Sequence, residues 1–405
     1  MTEVAAVKAG ATVPRSRRVM LVGTALVTVT PIVSHTFGRS TYGLLLPAME
    51  DTMGLNHAQT GLGGTVIYAA YLLGVIAVAL LSRRFEPITI LRGGVAIAGL
   101  GLVWMATVHS LPALMFGLLL TGGAGAGIWI TSPGMVSASV APQRRGVMIG
   151  LLTASVGFGT FVLGIGTTAA RQSTGNELLW RPVWMFEAVV TAFILLGLVL
   201  VARPPRTEVV SARGFSLDRL RSVPNWKRVT AAYALFAAVG AGISPFLVRA
   251  LQSDAGLSKA GAASVFAAMS LLAIPGAPLL GALSDRVGRK PVMVFVLGAA
   301  GTGTAVVALG HGVVAVLGTF LFGSVWSSYP TLVATYVRDH TEARGFSEAL
   351  ATMTIFYGAA ALSAPFLTGW LADLTGHFRA PFVGLSALCL CGAALMAGLP
   401  TRSRR

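Results

Sequence analysis

Charge is what this sequence has least of. Charged residues make up 11% of its 405 positions, against roughly a quarter in a soluble domain. Mean hydropathy is +0.77, so a water-soluble globule is excluded. Acidic residues are scarcest: 14 Asp and Glu stand against 30 Lys and Arg, a net charge of +16. That surplus raises the question of nucleic acid. However, the basic residues are spread over short segments between apolar runs and build no clustered basic face, so no nucleic-acid partner is expected. Cysteine is nearly absent. Cys389 and Cys391 sit two apart in the last apolar run and point in different directions, which excludes a CxxC pair, a disulfide framework and a thiolate metal site. No H-E-x-x-H, G-x-S-x-G, G-x-G-x-x-G or Walker G-x-x-x-x-G-K-[ST] sequence occurs. Neither an enzyme, a cofactor nor an ATPase of its own is expected, and no soluble domain is present to read out a sensor's signal.

What remains is apolar: 55% hydrophobic residues and 49 glycines. The apolar runs are about 20 residues long, twice what a barrel strand needs, so the chain reads as an all-α integral membrane protein. Small residues suit it, because they let membrane helices approach closely. Runs separated by charged or turn-rich breaks give twelve spans, at 20–47, 60–81, 89–108, 112–140, 147–170, 183–201, 227–250, 261–283, 291–309, 313–336, 346–371 and 380–399. Residues 1–18 read as a disordered cytoplasmic tail before an uncleaved first span. Residues 19–201 form a first group of six spans and 227–399 a second. Between them, 202–226 is a cytoplasmic linker in which Phe215, Leu217 and Leu220 among Arg213, Arg219 and Arg221 suggest a short interfacial helix. Residues 400–405 are a basic cytoplasmic tail.

An even number of spans puts both termini on one side. Arg171, Arg181, Arg249, Lys259 and Arg379 fall on the odd-numbered connections and their flanks, and Arg39 lies deep inside a span; every other Lys and Arg sits on a terminus or on an even-numbered connection and its flanks. The positive-inside rule then makes the termini cytoplasmic. The two groups of six look like repeats. Trp129-Ile-Thr-Ser-Pro133 in span four, followed by Arg145-Gly146, matches Trp326-Ser-Ser-Tyr-Pro330 in span ten, followed by Arg344-Gly345.

The first span carries a polar stripe. Thr24, Thr28, Pro31, His35, Arg39 and Tyr42 fall at steps of three and four, one face of an α-helix. A charge in the bilayer interior costs roughly 3 kcal/mol on insertion scales, so it faces protein or water. The stripe is therefore expected to line an internal aqueous cavity. Arg39 lies 8 residues, about 12 Å, from the expected outer end of its helix. Its guanidinium can clamp a carboxylate with two parallel hydrogen bonds; the alternatives are an ion pair with an internal glutamate, or snorkelling to the surface. His35, one turn away, is a proton carrier or a satisfied core histidine. Glu187 in span six pairs with Arg39, relays protons, or is an interfacial glutamate. Glu348 belongs to the cytoplasmic loop network.

Between spans eight and nine stands Gly281-Ala-Leu-Ser-Asp285-Arg286-Val-Gly288-Arg289-Lys290: a tight Gly turn, with one carboxylate among three cations at the membrane surface. Such a cluster can pair with neighbouring helix ends in one conformation and release in another. This segment resembles the signature G-x-x-x-D-R-x-G-R-K loop of the major facilitator superfamily, and Phe37 to Met49 resembles the first helix of its YbfB-like bacterial branch. The first-half loop departs from the pattern, with Arg83 and Glu86 where the aspartate and second glycine belong. Span five has no Gly-Pro, which counts against a drug antiporter.

The resemblance implies two pseudo-symmetric six-helix bundles and alternating access to a midplane site. It also implies a monomeric secondary transporter in the bacterial plasma (inner) membrane, with Gly281, Asp285, Arg286, Gly288, Arg289 and Lys290 as a conformational gate. Tyr42, Tyr68, Tyr71, Trp129, Tyr233, Trp326, Tyr329 and Tyr357 lie in spans resembling the family's cavity-lining helices, and with Arg39 and His35 they are the candidate substrate site. His35 and Glu187 are the proton-coupling candidates. The expected substrate is a small organic anion, an aromatic or short-chain carboxylate moved by proton symport. The alternative is proton-coupled export of lipophilic compounds.

Overall fold

The computed structural model describes residues 17–141, 144–176, 179–202 and 215–399. The expected tail up to residue 16, linker residues 203–214 and the tail 400–405 lie outside the described residues. The described residues are helical, with no strand among them. Among the described residues, twelve helices are long and apolar enough to cross a membrane: α1 Val19–Met53, α2 His57–Leu81, α3 Pro87–Thr107, α4 Leu111–Ala138, α5 Arg145–Thr174, α6 Arg181–Leu200, α7 Trp226–Ser253, α8 Lys259–Val287, α9 Arg289–Leu309, α10 Val313–Asp339, α11 Glu348–Thr375 and α12 Arg379–Ala397.

The first helix departs from the expected regular rod. It runs past residue 47 to Met53, because Glu50 and Asp51 find partners there instead of ending the span. Gly54, in the left-handed region at φ 63°, stops it. Asn56 and Gln59 then start α2 with a reciprocal capping box. Between Ile32 and Ser40, α1 is a π-helix.

The helices pair in a pattern that repeats after six. In the first half α2 packs on α4, α3 on α4 and α6, and α1 on α4, α5 and α6. In the second half α8 packs on α10, α9 on α10 and α12, and α7 on α10, α11 and α12. The halves are therefore two six-helix bundles of one design. They meet through α2 on α11, α5 on α8, and α1 on α7, pairings that exchange when each helix is shifted by six. Close approach is bought with small residues: a Cβ on Gly61 of α2 would collide with the backbone of Pro365 in α11. Side chains such as Leu100 of α3 and Phe193 of α6 point outward, 68% and 69% exposed, as lipid-facing residues do.

The chain ends define a terminal face, opposite a far face. At the terminal face Lys290 donates to the Leu399 carbonyl, and Arg228 to that of Gly398. The linker supplies a five-residue helix, Leu217–Arg221, with Leu220 buried and Phe215 and Leu217 exposed. Ser216 N–H donates to Thr352 Oγ1 of α11 at 2.9 Å, and Arg219 lies 3.7 Å from Glu348. The bundles touch mainly in their far halves. There Gly61 and Gly64 of α2 meet Pro365, and Gly157 and Gly164 of α5 meet Ser270, Ile274, Ala263 and Ala267 of α8. Towards the terminal face, Gly146 and Gly150 of α5 and Gly281 of α8 have open space before them.

Candidate functional site

The site is built on the π-helical stretch of α1. A π turn holds more residues than an α turn, so His35 and Arg39, four apart, both stay on the side facing the other helices' aromatic rings. Each is half-buried. The buried side is anchored by hydroxyls: Thr30 Oγ1 meets Ser132 Oγ of α4 at 2.9 Å, and Thr36 Oγ1 donates to the Val156 carbonyl of α5 at 3.0 Å.

Arg39 has no carboxylate partner among the described residues. Its guanidinium lies over the Tyr68 ring, 4.4 Å from the centroid, and donates to the Tyr68 hydroxyl. Tyr71 of α2 and Tyr357 of α11 are near enough to interact with it electrostatically. On the other side His35 tilts against Trp129 of α4, 4.3 Å between rings, and its Nδ1 is 2.9 Å from Ser34 Oγ. The second half supplies rings. Tyr357 packs on Tyr233 of α7 at 4.6 Å, and Tyr233 lies 6.3 Å from Tyr329. Phe236 stacks on Trp326 at 3.9 Å and tilts against Tyr329 at 4.9 Å. Gly240 makes this possible, since a Cβ there would stand in the Trp326 indole.

One cluster thus holds Arg39, His35, Tyr68, Tyr71 and Trp129 from the first bundle and Tyr357 and Tyr233 from the second, with Trp326 behind it, packed on Phe236 and Phe322. Two other expected members are not brought to it. Tyr42 is 1% exposed and donates to the Thr60 carbonyl at 2.6 Å; the π turns lag behind an α-helical count, so three residues past Arg39 the face has turned into the bundle. Tyr329 is fully buried behind Tyr233 and Phe236. Glu187 does not pair with Arg39. It is fully buried in α6, with Oε1 2.5 Å from Thr41 Oγ1, so the interfacial reading is also corrected. With α1 ending at Met53, Arg39 lies 14 residues from the far end, about 20 Å. That is too deep to snorkel.

The loop between α8 and α9 closes on its own bundle. Arg289 bridges Asp285 at 2.5 Å and Asp339 of α10 at 2.9 Å, and donates to Ser284 Oγ at 2.6 Å. Gly288 takes φ 98° between the two helices. Its first-half counterpart, Arg83-Arg84, is exposed.

The sequence reading passed over a second charged cluster, at the far face, where Glu50 and Asp51 of α1 meet Arg249 of α7. Its signal was the rarity of far-face cations: Arg249 and Lys259 are two of the few.

Comparisons agree with this architecture. Solved structures similar to the chain include the nucleoside transporter NupG, with TM-score 0.74 and 13% identity over 94% of this chain and 98% of that one. A bacterial homolog of the lysosomal transporter Spinster, inward-facing and occupied, gives TM-score 0.74 at 17% identity over 95% and 97%. These likenesses speak for the fold. Among curated proteins, the 3-(3-hydroxy-phenyl)propionate transporter of Escherichia coli (strain K12) is 26% identical over 84% of this chain and 85% of its own length. Monocarboxylate transporter 11 of Homo sapiens is 29% identical over 79% and 70%. The probable 4-methylmuconolactone transporter of Cupriavidus pinatubonensis is 25% identical, the match covering 64% of this chain and 62% of that one. The family model described as "Uncharacterised MFS-type transporter YbfB" matches residues 32–397. Twelve membrane-length helices in two like bundles, the Gly281–Lys290 loop and this match make the chain a member of that family of major facilitator transporters, a membrane transporter and not an enzyme.

Proposed function

We propose that the protein carries a small, flat organic carboxylate across the bacterial plasma membrane in symport with a proton, by alternating access, with its termini in the cytoplasm. The observation that carries this reading is Arg39: a guanidinium deep in a span, without a carboxylate partner among the described residues. A permanent cation in that position calls for an anion, and a planar fork suits a carboxylate. The surrounding rings, Tyr68, Tyr71, Trp129, Tyr233 and Tyr357, offer flat apolar walls with hydroxyl tips. Relatives named for a hydroxyphenylpropionate, a muconolactone and monocarboxylates support organic acids as cargo. Glycine contacts that join the bundles in their far halves, with open space before Gly146, Gly150 and Gly281 nearer the termini, support rocking about the site. His35 is the titratable group beside Arg39 and the candidate for the transported proton; the Asp285–Arg289–Asp339 cluster is the candidate terminal-face gate.

The test is proton flux into proteoliposomes holding a pH dye, on adding aromatic and short-chain carboxylates and, separately, lipophilic cations. Carboxylates are expected to drive proton entry, and Arg39→Ala to abolish it. Flux driven by lipophilic cations and unaffected by Arg39→Ala would instead make the protein an exporter of lipophilic compounds.

A further inference from the structure

The far face is joined across the bundles by ions. Glu50, 4% exposed, accepts hydrogen bonds at Oε1 from His57 Nδ1 and Thr60 Oγ1, each at 2.8 Å. Arg249 of α7 brings Nε within 3.2 Å of Glu50 Oε2, in ion-pair range without hydrogen-bond alignment, and Nη1 within 3.3 Å of Asp51. Lys259 of α8 stands 3.7 Å from Asp51. Asp373, at the end of α11, accepts the backbone N–H of His57 at 3.0 Å and of Ala58 at 2.7 Å, capping α2 from the other bundle. Phe246 and Phe378 flank the imidazole. Asp254, just past the end of α7, is held within its own bundle by Phe378 N–H at 2.7 Å.

These groups sort cleanly by bundle. Glu50, Asp51, His57 and Thr60 belong to the first; Arg249, Lys259 and Asp373 belong to the second. In the closed arrangement the two carboxylates of α1 are offset by the two cations. Opening the far face carries both cations and Asp373 away, a net loss of one positive charge beside Glu50, Asp51 and His57, so a proton on the Glu50–His57 pair then restores the lost balance. The open arrangement binds that proton more tightly than the closed one, and by linkage acid favours opening. Water reaches the pair through the imidazole: the His57 side chain is 24% exposed, that of Glu50 only 2%.

We propose that Glu50, His57 and Arg249 form a pH-sensitive lock on the far face, released by acid on that side. The lock is distinct from the transported proton and rests only on the two bundles parting at this face.

The test is the distance between spin labels at Gln172 of α5 and Val313 of α10, both exposed, in protein with Cys389 and Cys391 replaced by Ala. It is measured by pulsed electron resonance without cargo. Lowering the pH from about 8 to about 5.5 is expected to raise the ratio of long to short distances about ten-fold. His57→Asn, which keeps a donor to Glu50 but cannot titrate, should remove the response, and Arg249→Gln should hold the long distance at both pH values. An unchanged distribution in the parent, or a full response in His57→Asn, overturns the lock. Because no substrate or gradient is present, failure of the carboxylate reading would leave this result standing, and the reverse.

Discussion

At the scale of single residues, Arg39 is where chemistry is concentrated. Its ring contact with Tyr68 and its bond to the same hydroxyl hold the guanidinium in place while leaving donors for a cargo. Arg39→Lys keeps the charge but loses the planar fork and the stacking face. Uptake of a radiolabelled aromatic carboxylate is expected to fall about ten-fold or more, with thermal stability in detergent unchanged. Tyr68→Phe retains the ring and should cost only a few-fold. Arg39 was legible in the sequence because a charge inside an apolar run stands out on composition alone. Tyr42 was misplaced because the α-helical count fails where α1 becomes a π-helix, and nothing in Ile32-Val-Ser-His-Thr-Phe-Gly-Arg-Ser40 marks that change. Glu187 was findable, but its partner was not: Thr41, a hydroxyl, gives no signal at the distance of five helices.

At the scale of elements, helix number and order followed from the apolar runs, since a lipid-spanning helix must satisfy its backbone internally over its whole length. Ends were harder. Glu50-Asp51 reads as the water-exposed close of a span, because a charge is expected at the surface unless its counter-ion is known. Here the counter-ion stands on α7, in the other half of the chain. The crossing of α2 and α11 depends on Gly61 lying against the Pro365 carbonyl, and a larger side chain there has only backbone to displace. Gly61→Leu is expected to force the far halves apart. A thiol probe applied from the far side should label a cysteine placed at Tyr71 several-fold faster in that background than in the parent. Equal labelling rates would show that the crossing tolerates the bulk.

At the scale of the whole molecule, the spread of Lys and Arg along the chain makes a prediction about orientation. A fluorescent protein fused after Arg405 is expected to fluoresce and a phosphatase there to stay inactive, with the reverse for fusions in the Thr174–Arg181 connection. The internal likeness of the halves extends to their mutual contacts, α2 on α11 and α5 on α8, but not to their chemistry. The fixed positive charge of the central cluster stands in the first half, on α1; the second half brings Tyr233, Trp326 and Tyr357. On the proposed reading, anchoring and sizing fall to separate pieces of chain. A lineage could remodel the rings of the second half, and with them the range of molecules admitted, while inheriting the ionic tether untouched.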